Sequence, residues 1–158
     1  MIKKRVARKP FNTVFEASLR VMLILDAFFD RALSVDMIAY IDFICTYGQI
    51  FGLADKNLHG DNTFTFCEFT NRREIVTKAI KSLVLDGKCV VTNEKNGFCY
   101  GLSDNGKTAV IKFNSEYATE YRMLSKAAKN YIGNQSEQGM LTLISEQAKN
   151  LLQEGDYG

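Results

Sequence analysis

The chain's one histidine, His59, stands two residues before Asp61 and four after Asp55, in a stretch dense in glycine and asparagine. A histidine beside carboxylates could trade a proton or help to hold a metal ion. Neither chemistry finds its remaining parts. Hydrolysis needs a nucleophile, an orienting partner and anion donors that converge. The sequence has no nucleophile elbow, no phosphate-cradling GxxxxGKS/T and no HExxH. Gly101 and Gly106 do not form a dinucleotide fingerprint. The four cysteines, Cys45, Cys67, Cys89 and Cys99, are spaced by 22, 22 and 10 residues, with no CxxC pair. That spacing does not make a zinc site. The cysteines read as free thiols of a reducing compartment, and His59 as a loop residue that caps a turn or pairs with Asp61. The expectation is a protein with no catalytic residue, no metal and no cofactor, and so not an enzyme.

Charge is informative by where it lies. The 158 residues carry a formal net charge of +2, but residues 1–10 hold five basic groups (Lys3, Lys4, Arg5, Arg8 and Lys9) and no acid. The other 148 residues keep 15 basic and 18 acidic groups, a net −3. A mildly acidic body excludes a surface built throughout to hold a polyanion. The basic arm serves nucleic acid, an acidic partner or solubility alone. It is not followed by an apolar block and a small-residue cleavage site, and Asp26 breaks the apolar run Val21–Leu25. The sequence therefore predicts neither secretion nor a membrane span, and a cytoplasmic location.

The elements that carry these groups can be read from periodicity. Pro10 marks a boundary, and Asn12 or Thr13 caps a helix over 14–29 with Glu16 near the answering position. Its apolar stripe (Phe15, Leu19, Met22, Leu23 and Phe29, widened by Val21, Ile24 and Phe28) predicts burial on most sides. Ser34 caps a second helix from Val35 to about Tyr47. Residues 48–67, punctuated by Gly48, Gly52, Asn57, Gly60 and Asn62, form a long loop of the kind that carries function. A helix over 71–86 follows, with Ile75, Val76, Ala79, Ile80 and Leu83 apolar and Gly87 as its left-handed cap.

Lys88–Thr92 and Phe98–Leu102 read as two strands about a turn containing Asn96-Gly97. Ser103 then starts a helix through Phe113. This order is that of a winged helix, with 71–86 in the recognition-helix position and 88–102 as the wing. The fold class is thus mainly α (α+β), a winged helix-turn-helix with a two-stranded wing and additional C-terminal helices. The division expected is a basic arm (1–10), a winged-helix domain (11–114), a C-terminal helical extension (115–152) and a tail (153–158). The extension carries Tyr117, Tyr121, Leu124, Ala128 and Tyr131, then Met140, Leu143 or Ile144, Ala148 and Leu151. Those faces either pack back on the domain or join another chain, and a homodimer is expected.

A winged helix offers a DNA-binding reading, through Lys78 and Lys81 on the helix, Lys88 and Lys95 on the wing, and Lys3, Lys4 and Arg5 on the arm. Glu68, Glu74, Asp86 and Glu94 offset that charge, and many folds of this kind bind only protein. Arg72 and Arg73 at a helix start run against the helix dipole, so acids such as Asp61 or Glu68, or a partner, must answer them.

Several segments together resemble a known family. Phe11-Asn12-Thr13-Val14-Phe15-Glu16-Ala17-Ser18-Leu19-Arg20, followed by Leu23-Ile24-Leu25-Asp26-Ala27, is similar to the opening of the middle component 2 family of ABC-three-component systems. Leu58-His59-Gly60-Asp61-Asn62 looks like that family's LHPDNP loop, with Gly60 in place of the proline, which loosens the loop. Arg72-Arg73-Glu74 resembles its RRE helix start, and Asp86-Gly87 and Ser115-Glu116-Tyr117-Ala118 follow in order. The resemblance covers about residues 11–132. It implies a winged-helix accessory subunit of a bacterial conflict system directed at phage or plasmids, coupling an SMC-like ABC ATPase to a third component, with no catalytic residues. The combined reading is a non-catalytic adaptor whose assembly surface includes His59, Asp61, Asn62, Arg72 and Arg73. The alternative is a winged-helix transcriptional regulator.

Overall fold

The computed structural model describes residues 13–58, 69–95 and 97–155. Five helices begin on a hydroxyl that takes up an otherwise orphaned backbone N–H. Thr13 Oγ1 accepts from Glu16 N–H at 3.0 Å and opens α1 (Val14–Ala27). Ser34 accepts from Met37 N–H at 3.1 Å and opens α2 (Val35–Thr46). α3 runs over Phe69–Leu85. Beyond it Gly87 takes φ +74°, and Lys88 N–H closes back on Leu83 O at 2.8 Å. α1 stops two residues sooner than its apolar stripe predicts. Phe28 caps it by donating to Ile24 O, and Phe29 turns outward, 79% exposed.

β1 (Cys89–Glu94) pairs antiparallel with β2 (Gly97–Leu102), in a register running from Cys89↔Leu102 to Glu94↔Gly97. The strands are longer than expected, because Asn93 and Glu94 pair across with Phe98 and Gly97. Only positions 95 and 96 are left between them, the length of a two-residue hairpin loop. The far edge of β2 is also used. Leu33, in the link between α1 and α2, forms an antiparallel bridge with Tyr100, with N–H to O distances of 3.0 and 2.8 Å. Ser103 then starts α4 (Asp104–Ile111), donating its hydroxyl to Gly87 O at 2.6 Å and accepting from Gly106 N–H at 3.0 Å. Gly106 passes so close to the hairpin base that a Cβ there would meet Lys88 O at 2.1 Å.

α5 (Glu116–Ile132), capped by Ser115, lies across both α1 and α2, and α6 (Glu137–Gly155) lies along α2. Tyr121, Leu124, Ala128 and Ile132 of α5, with Met140 and Ile144 of α6, join Val21, Ile24, Ile38, Ile41, Val76 and Ala79 in one buried cluster. The segment from residue 115 onward thus packs back on the preceding helices. Each large side chain in that cluster contributes roughly 1.5–3 kcal/mol by leaving water. Polar ties fix the helix ends. Ser34 Oγ donates to Glu137, Lys129 Nζ pairs with Asp30 at 2.9 Å, and an Arg31 N–H donates to Gly133 O at 3.1 Å. Six helices and one two-stranded antiparallel sheet, among the described residues, make a mainly helical α+β protein.

Candidate functional site

The strongest concentration of charge is in the interior. Asp42, in the middle of α2, and Arg20, in the middle of α1, are each 1% exposed. Both helices are apolar around them, so each charge must find its partner inside the protein. Arg20 grips Asp42 with two N–H groups, Nε to Oδ1 at 2.9 Å and Nη2 to Oδ2 at 3.4 Å. Arg72, in the first turn of α3, donates Nη1 to Oδ2 at 2.7 Å and to Thr46 Oγ1 at 3.3 Å. Tyr121 of α5 donates its hydroxyl to Oδ1. One carboxylate thus joins four helices.

The electrostatics follow from that geometry. Burial drives the Asp42 carboxyl up, but Arg20 and Arg72, with the hydrogen bonds, outweigh it and hold the group well below the usual carboxylate range. Burial, and after it the Asp42 charge, keeps the Tyr121 phenol protonated and therefore a donor. Two guanidiniums against one carboxylate leave an excess positive charge. Arg72 carries it nearer the surface, at 8% exposure, with its guanidinium 5.8 Å from the ring centres of both Phe43 and Tyr47. The cluster reads chemically as a clasp: each Asp42 oxygen accepts two hydrogen bonds, while the buried Arg72 Nε is left without one.

The residues expected on the assembly surface are distributed differently. Arg72 is buried, and Asp42 answers it. Arg73 is 59% exposed and pairs with Asp36 of α2. Of the two expectations for these arginines, acids or a partner, the structure supplies acids, Asp42 and Asp36 of α2; the acids named for the role, Asp61 and Glu68, lie outside the described residues. His59, Asp61 and Asn62 lie outside the described residues. The loop leading to them is tied down on its near side, where Asn57 Oδ1 accepts from Gln49 N–H at 3.0 Å and Leu58 N–H donates to Thr46 O at 3.0 Å.

Of the groups expected to meet nucleic acid, Lys3, Lys4 and Arg5 also fall outside the described residues. Lys78 is exposed and pairs with Glu74 one turn away at 3.6 Å, and Lys81 is exposed. Lys88 is half-buried at the hairpin base. Lys95, at the hairpin tip, lines a cleft of about 540 Å³ with Arg31, Glu94 and Glu137. These lysines are interleaved with acids and do not form one uniformly basic face.

No group of three or more His, Cys, Asp or Glu side chains that could hold a metal occurs among the described residues. No helix among them is long and apolar enough to cross a membrane. Arg20 and Asp42 escaped attention in the sequence, yet a signal was there. Each is a charge flanked on both sides by apolar residues inside a mainly apolar helix, Leu19-Arg20-Val21 and Ile41-Asp42-Phe43, and the two are opposite in sign.

These features define a small helical protein whose central charges are spent on holding its own helices together. The chain belongs to the Middle Component 2 family of ABC-three component (ABC-3C) systems, whose family model matches residues 10–154. It is accordingly one component of a multi-component system. No curated protein and no solved structure was found to match it.

Proposed function

We propose that the chain is a non-catalytic adaptor of winged-helix type that couples an SMC-like ABC ATPase to the third component of its system. The family match over residues 10–154 carries this reading. The order of α1, α2 and α3, the hairpin β1–β2 and the extra bridge at Leu33 supports the winged-helix part. The adaptor part draws support from the large apolar side chains left exposed among the described residues. Phe15 on α1, Phe29 just beyond it and Met123 on α5 are each about two-thirds exposed or more, at 69%, 79% and 67%. Aromatic residues and methionine are enriched where one protein meets another. The interleaved acids make the lysine-bearing surface a poor match for a DNA backbone.

Co-expression of the tagged chain with the ATPase and third component of its own system tests this. The adaptor predicts a complex of all three that survives purification at physiological salt, and only weak, salt-sensitive retention on DNA. A chain that purifies alone yet holds a specific DNA sequence at that salt overturns it in favour of a transcriptional regulator. Turnover by the isolated subunit overturns the non-catalytic part.

A further inference from the structure

We propose that β1 is the contact edge of a symmetric homodimer, its strand pairing antiparallel with β1 of a second copy about a two-fold axis at Val91. The inference is independent of the adaptor reading and rests on where the hairpin's backbone groups point. Tyr100 spends its N–H and C=O on Leu33, at 2.8 and 3.0 Å, so both are turned away from β1. Val91, opposite Tyr100, therefore sits in a non-hydrogen-bonded pair, and its own N–H and C=O are turned away from β2. The hairpin base agrees, since Ser103 N–H donates to Lys88 O at 3.0 Å. The even-numbered residues of β1 thus face β2, while Cys89, Val91 and Asn93 direct their backbone groups outward. No strand among the described residues takes that edge.

Natural edges are guarded by shortness, charged side chains, proline or bulges. This one has an unbroken register, no proline, and exposed Val90 (46%) and Val91 (45%) at its centre. Its charges then choose the partner. Hydrogen-bonded pairing requires outward residues to meet outward residues, which restricts the register to steps of two. Val91 opposite Val91 satisfies this and brings Asn93 opposite Cys89. The same register sets Lys88 of each copy opposite Glu94 of the other, on the face that also pairs Val90 with Thr92. A slip of two residues in one direction places Glu94 opposite Asp86, two acids. A slip in the other removes Glu94 from Lys88 altogether. The edge is complementary to itself in one register, and a second copy of this chain is the occupant that fits. The other face would then carry a continuous ladder of Tyr100, Val91 and the same two residues of the second copy.

Sedimentation of the full-length chain tests the proposal. The expected species has twice the 17.8 kDa chain mass. Lys88→Glu alone and Glu94→Lys alone each set like charges opposite one another twice per dimer, and each weakens self-association by about tenfold or more. Mixing the two variants restores opposite charges across the axis and recovers a dimer. Val91→Pro removes an outward N–H without removing a bond to β2, and gives a monomer with wild-type helicity by circular dichroism. A wild-type chain that stays at 17.8 kDa up to high concentration overturns the proposal. So does a dimer that both charge reversals leave intact.

Discussion

Arg72 Nη1 stands 2.7 Å from Asp42 Oδ2, joining the first turn of α3 to the middle of α2 across an interior closed to solvent. Its chain neighbour Arg73 makes the same kind of pair with Asp36, but in water. Breaking a buried pair by removing one partner costs about 3–5 kcal/mol, while an exposed pair contributes roughly 0–1 kcal/mol. Arg72→Ala and Asp42→Asn are therefore expected to lower the unfolding free energy by amounts in the first range. Arg73→Ala should stay within about 0.5 kcal/mol of wild type. Urea denaturation of the three variants checks this, and near-equal losses for the two arginines would contradict the clasp.

The same cluster sets an acid limit on stability. The Asp42 carboxyl is held well below its ordinary value in the folded state, against the pull of burial. A group depressed in this way contributes its full stabilisation above the unfolded value of about 4 and loses it as pH falls towards the folded one. Stability of the wild-type chain should drop steeply below about pH 4. In Asp42→Asn that part of the slope should be missing, leaving the shallower contribution of the other carboxylates. Thermal melts between pH 7 and pH 3 on both proteins give the comparison.

At the hairpin base the constraint is steric. Gly106 follows the Ser103 cap, and an added methyl would lie 2.1 Å from the Lys88 carbonyl oxygen, which itself accepts from Ser103 N–H. Leu102 Cδ2, at 3.0 Å, could shift, but the nearest obstacle is backbone and could not. Gly106→Ala is expected to destabilise by about 1–3 kcal/mol, although alanine is the better helix former by nearly 1 kcal/mol. A gain in melting temperature would mean that α4 and the hairpin are not packed this closely.

What the sequence revealed and what it hid divide along range. The caps at Ser34 and Ser103 are each set by a side chain three positions from the backbone group it serves, and the turn at Gly87 and the tight hairpin near 89–102 are likewise short-range. α1 ends two residues before its apolar stripe does, because Phe28 and Phe29 continue the stripe while the backbone has already turned. Leu33 could not be read as a strand, since a single bridging residue has no periodicity. The clasp was the largest omission. Arg20, Asp42, Arg72 and Tyr121 lie 22, 30 and 49 residues apart in successive steps from Arg20 to Asp42, Asp42 to Arg72 and Arg72 to Tyr121. Only the packing of four helices makes them neighbours.

Cysteine reactivity provides a reading of that packing without mutation. Burial pushes the Cys45 thiol up to about 12, with Asp42 adding to it, and its sulfur lies 4.0 Å from Ser125 Oγ. Burial alone raises the Cys89 thiol to about 11. Cys99, on the half-exposed β2, is raised by burial and then by Glu94 and Glu137. The thiolate is the reactive form, so the thiolate fraction and access act in the same direction. Of the three described cysteines, alkylation in native buffer at about pH 8, followed site by site by mass spectrometry, should modify Cys99 first, Cys89 far more slowly and Cys45 only after denaturant is added. Because Cys45 lies three residues beyond Asp42 on α2, the Arg72→Ala substitution should speed its modification while leaving the Cys99 rate almost unchanged. Equal protection of Cys45 in the variant and the wild type would mean that Arg72 does not close this part of the interior.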